Sequence, residues 1–244
     1  MTGRFKAELL KVRSTRTTVG LALGMIALVL LFSLLSGLLT KAHDLVTVED
    51  QRELLSVGSF AGVFSALAGI MLVTSEYRYG TIRPTFLFTP RRTRVVAAKG
   101  AAGMFAGVLF GVVGAVLALG IGYACLSARG IDYALSGGQT ALLLLGTVAG
   151  CALWGAIGVA LGAVVRNQVG AVIGLLAWGF VAENILFGLV PGVGRFGPVH
   201  AADAFIGLAM DHLLQAAPGG LILAAWAAAL APAAVRLVAV RDVD

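Results

Sequence analysis

The side chains with the greatest chemical reach gather in one stretch, SEYRYGTIRPTFLFTPRRTRVVAAKG, from Ser75 to Gly100. Glu76, Arg78, Arg83, Arg91, Arg92, Arg94 and Lys99 stand there beside Phe86, Leu87 and Phe88. Arginine and aromatic side chains dominate the hot spots of protein interfaces, so this mixture has the chemistry of a docking surface. Thr81 reads as an N-cap, and Pro84 falls in a first helical turn, where backbone N–H groups lack intrahelical partners. Pro90 ends the apolar run, which predicts a short helix between Thr81 and Pro90. The same residues would also serve as a lipid anchor, with Phe86 and Phe88 in the head-group layer and the arginines on lipid phosphates.

Glu183 is the second residue of interest, since it stands beside Asn184 within an apolar run. A carboxylate inside the bilayer costs several kcal/mol unless it meets water, a proton or a partner, which makes Glu183 an intramembrane polar site to explain. No second intramembrane acid lines up with it for a proton relay, so pairing with Arg195 or capping the broken segment that follows is the favoured reading. Catalytic and metal chemistry find little else. The sequence holds no H-E-x-x-H, no G-x-S-x-G and no pair of buried acids. His43, His200 and His212 all fall in predicted outer loops. No catalytic residues, no metal ligands and no bound cofactor are therefore expected. The phosphate loop GxxxxGK[ST] is absent too, and with it any evident grip on nucleotide phosphates.

The elements that must position these residues are membrane helices. Of the 244 residues 59% are hydrophobic and 12% charged, and the mean hydropathy is +0.96. That apolar surface exceeds what one water-soluble core can hide. Apolar runs near the roughly 20 residues needed to cross the bilayer recur along the chain. They give spans at about 17–40, 56–75, 100–126, 139–165, 169–190 and 217–239. The first run is longer than the apolar region of a secretory signal and reads as a retained span. Gly103, Gly107 and Gly111, Gly146 and Gly150, and Gly158 and Gly162 repeat at four-residue spacing, the signature of close helix contact. Cys125 and Cys151 read as packing residues and not as a disulfide.

The net charge of +6 would also suit nucleic acid, but the basic residues sit in short segments beside apolar runs, where they set topology. Arg4, Lys6, Lys11, Arg13 and Arg16 hold the N-terminal segment inside, as the basic residues of 78–99 hold the second loop. Asp44, Glu49, Asp50 and Glu53 lie on the outer side, Arg166 marks an inner turn, and Arg236 and Arg241 close the last span inside. Both termini are thus expected in the cytoplasm. Phe5, Leu9 and Val12 give the segment from Gly3 to Arg16 an apolar face, which predicts an interfacial helix lying on the membrane, with a plain basic tail as the alternative.

The run Glu76-Tyr77-Arg78-Tyr79-Gly80-Thr81-Ile82-Arg83, followed by Pro90-Arg91-Arg92 and Ala98-Lys99, resembles the second cytoplasmic segment of the type-2 permeases of ATP-binding-cassette (ABC) exporters. The likeness extends in order along the chain, from an interfacial helix through six spans to a Gly/Pro-broken region before the last. It implies an all-α membrane protein whose residues 1–244 form one permease domain without a nucleotide-binding domain. It implies a coupling helix that docks on a separate ATPase subunit, with Glu76, Arg78, Gly80, Thr81, Arg83 and Phe86 as transmission residues. ATP and magnesium would be bound by that partner, and a second permease copy, identical or different, would complete the substrate pathway. Between about Pro191 and Pro218 the likeness implies short re-entrant helices, where a plain outer loop is the alternative. Membrane lipid is the other expected partner and nucleic acid is not one. High Ala, Gly, Val and Arg use points to a GC-rich bacterium and its plasma membrane. Two other functions compete: a membrane anchor or immunity factor that acts without an ATPase, and an intramembrane protease, which would need a nucleophile and base held in the bundle.

Overall fold

A computed structural model describes residues 16–81 and 92–240 of the chain. The interfacial helix expected before Arg16, the coupling helix with Arg83 and Phe86, and Arg241 lie outside the described residues. Six helical segments are long and apolar enough to cross a membrane, as a multi-pass membrane protein requires: Thr17–Leu39, Val48–Arg78, Thr93–Ala128, Gly137–Val165, Gln168–Leu189 and Ala216–Val238.

The elements are α1 (Arg16–Leu39), α2 (Val48–Ser56), α3 (Ala61–Arg78), α4 (Arg92–Ala128), α5 (Gly137–Val165), α6 (Gln168–Ala177), α7 (Glu183–Leu189), α8 (Pro191–Gly194), α9 (Pro198–Phe205) and α10 (Ala216–Val240). Span 2 consists of α2 and α3 joined by the tight turn Val57–Phe60, and span 5 of α6 and α7 joined by the π-helical turn Trp178–Ala182. Span 2 begins well before residue 56. Its first two turns, VEDQRELLS, are too polar to register as apolar, yet Thr47 and Asp50 form a capping box that starts the helix there. At 31 residues span 2 is roughly 46 Å long, so its polar start projects beyond the hydrocarbon.

α5 is the central helix and packs against α3, α4 and α10. Glycine makes this possible. A methyl group added at Gly107 would overlap the Cys151 carbonyl oxygen, and one at Gly158 would overlap that of Ala66. The Gly103/Gly107/Gly111 and Gly158/Gly162 faces read from the sequence are therefore faces of backbone contact, with α4 and α3 nearly backbone to backbone against α5, while Gly146 and Gly150 face Phe205, Ile206 and Leu223. Cys125 and Cys151 are both buried and free.

The ends of the bundle are tied by side chain to backbone bonds. At one end Gln51 donates to the carbonyls of Leu45 (3.0 Å) and Asp132 (2.8 Å) and accepts from Ala134 N (2.8 Å). Arg129 donates to the carbonyls of Gly37 and Thr40, which α1 leaves without helical partners. At the other end Arg166 takes a left-handed conformation (φ 57°) that closes α5, and Asn167 Oδ1 accepts from Gly170 N to open α6. Here the tight turn expected at Arg166 is found.

Candidate functional site

Two polar constructions stand out against the apolar bundle. The first lies at the basic end. Glu76 sits in the last turn of α3, and Lys99 two turns into α4. Lys99 Nζ lies 2.8 Å from Glu76 Oε1 and donates to the Leu72 carbonyl at 2.9 Å, with the two side chains 3% and 6% exposed. The pair clasps spans 2 and 3 together on either side of the segment that joins them. Glu76, expected on a docking surface, is instead turned into the bundle. The reason is that α3 continues to Arg78, so Ser75 to Arg78 is helix and not loop, and the Glu76 position falls on its inner face.

The residues that follow Glu76 do face outward. Arg78 and Tyr79 are exposed, with the Arg78 guanidinium 5.8 Å from the Tyr79 ring centroid and within 3.5 Å of Gln168 Oε1 at the start of span 5. Gly80 supplies a positive φ of 69° that turns the chain off the helix, a conformation with little cost for glycine. Thr81 is exposed beside it. Arg166 lies 5.2 Å from the Tyr77 ring centroid and donates to the Leu237 carbonyl at 3.0 Å. Spans 2, 3, 5 and 6 and the turn between 4 and 5 are therefore joined at this end. Between α1, α3 and α6 a cavity of about 530 Å³ opens, lined by Thr17, Met71, Glu76, Arg78, Tyr79 and Gln168 among others.

The second construction is centred on Glu183, which is fully buried. Its Oε1 accepts from the backbone N–H groups of Val199 (2.7 Å) and His200 (2.9 Å) and lies 3.2 Å from His200 Nδ1. Its Oε2 accepts from Trp178 Nε1 at 3.0 Å. The carboxylate therefore caps the start of α9, where free N–H groups and the helix dipole favour negative charge. Of the two structural roles expected, pairing with Arg195 or capping the segment that follows, the structure shows the cap, while Arg195 lies over the Phe196 ring at 5.0 Å. The π turn ahead of Glu183 widens the helix, and Asn184 Nδ2 donates to the Gly179 carbonyl there. His200 is not in an open loop. It is 2% exposed and stacks on Phe187 with centroids 4.0 Å apart. The region after span 5 consists of two short helices, α8 and α9, with α9 packed on α10 at Gly219 and Gly220.

Asp203, one turn after His200, was not singled out by its sequence context. It lines a cavity of about 310 Å³ between span 2, α5, span 5 and α9. Burial first, and then the charge of Glu183, push its carboxyl up to about 7. A lone acid in the run AADAF was the available signal, but only the folding back of α9 brings it beside Glu183. Among the described residues no group of three His, Cys, Asp or Glu side chains could hold a metal ion.

No protein-family model matches this chain, and no curated protein does. The geometry carries the functional reading.

Proposed function

We propose that the chain is the membrane permease subunit of an ABC-type exporter, acting as a dimer and driven by a separate ATPase chain. The observation that carries this reading is the buried Glu76–Lys99 clasp. A force applied to the segment between Tyr79 and Arg92 reaches spans 2 and 3 as one body, because the pair holds them together where that segment leaves and rejoins the bundle. Arg78 hands the displacement to span 5 through Gln168, and Arg166 links the neighbouring turn to span 6. A docking segment set on such a lever is what a permease without its own motor requires. In this reading Arg78, Gly80, Thr81, Arg83 and Phe86 meet the ATPase, and Glu76 acts as the rivet behind them.

The distribution of burial favours a second copy. Span 5 is the least buried of the six, and Val169, Ile173, Phe180 and Ile185 expose its outer side. Such a face meets lipid or another chain, and in a dimer it would border the substrate pathway. The chain would bind no ATP or magnesium itself, would lie in a bacterial plasma membrane with both termini inside, and would not be an enzyme. Co-expression with candidate ABC ATPase chains from the same organism, followed by tagged pulldown in detergent, tests the reading. The native chain is expected to retain the ATPase, and Arg83→Ala/Phe86→Ala to release it. A native chain that retains no ATPase overturns the proposal and leaves the anchor reading.

A further inference from the structure

We propose that the cavity between span 2, span 5 and α9 binds amphipathic organic cations, with Asp203 as their counter-ion. One wall is aromatic. Phe60 and Phe180 lie 6.0 Å apart at 43°, and Trp154, Val63 and Leu175 extend the apolar lining. The volume of about 310 Å³ stands at the lower end of cavities that take drug-sized molecules. Aromatic faces carry negative potential and attract cations, most strongly where water is scarce.

Asp203 provides the charge. Asp203 is half-buried, its carboxylate has no hydrogen bond or ion pair among the described residues, and no Lys or Arg lines the cavity. The two titratable neighbours are committed elsewhere. Glu183, packed from α7, has its oxygens occupied by Trp178, Val199 and His200, and His200, on α9 itself, has Nδ1 on Glu183. A carboxylate in apolar surroundings without a partner is costly, and a ligand cation relieves that cost. A neutral lipid tail would not. A metal ion would find too few oxygens: beside the Asp203 carboxylate the lining offers only the side-chain oxygens of Ser59 and Asn184, and no group of three His, Cys, Asp or Glu stands among the described residues. The binding site stands on this geometry alone; its place in an export cycle rests on the permease reading.

The test uses the full chain in phosphatidylcholine nanodiscs with two labelled probes of equal shape, methyltriphenylphosphonium and the uncharged 1,1,1-triphenylethane. The cation is expected to bind saturably and at least about tenfold more tightly than its neutral twin. Asp203→Asn should abolish that preference and Asp203→Glu should keep it. Because the probe's charge is fixed, a preference that shrinks between pH 8 and pH 5.5 in the wild type reports protonation of the site, and this arm decides the matter if Asp203→Asn does not fold. A change that merely reshapes the cavity, through Glu183 or His200, would move both probes together. Equal binding of the two probes, or a preference that survives Asp203→Asn in a well-folded protein, overturns the proposal. Cation preference without ATPase co-purification keeps the site and removes the permease reading, and the opposite pair of results does the reverse.

Discussion

Replacing Lys99 by methionine removes the cation of a pair whose side chains are 3% and 6% exposed. The Glu76 carboxylate then stays buried without it. Breaking a buried pair by deleting one partner costs roughly 3–5 kcal/mol, whereas replacing both partners by uncharged groups of similar size is close to neutral. Lys99→Met is therefore expected to lower the midpoint of thermal unfolding by about 10 °C, taking roughly 2–4 °C per kcal/mol for a chain of this length. The double variant Glu76→Gln/Lys99→Met should return to within about 1 kcal/mol of the wild type. Tryptophan fluorescence during heating in a mild detergent, checked by gel filtration, gives the three midpoints needed. A single variant that loses less than about 1 kcal/mol, or a double variant no more stable than Lys99→Met, would refute the clasp.

Three further outcomes follow from the packing and the polar cluster around Glu183. Gly107→Leu and Gly158→Val, which overlap the Cys151 and Ala66 carbonyls, should each destabilise the bundle by about 2 kcal/mol or more, while Gly120→Ala and Gly138→Ala, with open space around them, should be tolerated in the same melting assay. Glu183→Ala removes the acceptor at the start of α9, so deuterium exchange at the amides of 199–203 should rise well above wild type while exchange in α5 stays slow; unchanged protection at 199–203 would speak against the cap. Asp203 has its carboxyl pushed up to about 7 in the folded chain, so the folded state binds a proton more strongly than the unfolded one, and stability from this group is greatest at acid pH and declines as pH rises through about 7. The wild type should accordingly lose more melting temperature than Asp203→Asn between pH 5 and pH 8; parallel pH profiles would contradict the shift.

The six spans, the turn at Arg166 and the glycine faces were legible because each depends on local hydropathy, local charge or four-residue spacing. The start of span 2 was not, since the polar helix Val48–Ser56 is fixed by a capping box and by Gln51 reaching across to Asp132 and Ala134. The same limit hid the clasp. Glu76 and Lys99 are 23 residues apart across the joining segment, and no periodicity connects them; their meeting follows from the packing of α3 on α4. Glu183 was visible as an acid in an apolar run, whereas His200 and Asp203 acquire their roles when α9 folds back against span 5. Sequence pattern reports which residues are out of place in a membrane helix, and tertiary packing decides what they are out of place for.

The measurement that decides between a permease and an anchor is the ATP hydrolysis rate of a candidate ABC ATPase from the same organism, reconstituted with and without this chain in proteoliposomes. A coupled permease brings the ATPase to the membrane when the chain is present, and the ATPase rate changes with the chain and loses that dependence in Arg83→Ala/Phe86→Ala. An ATPase that stays in solution and turns over at the same rate with or without the chain would contradict the permease reading.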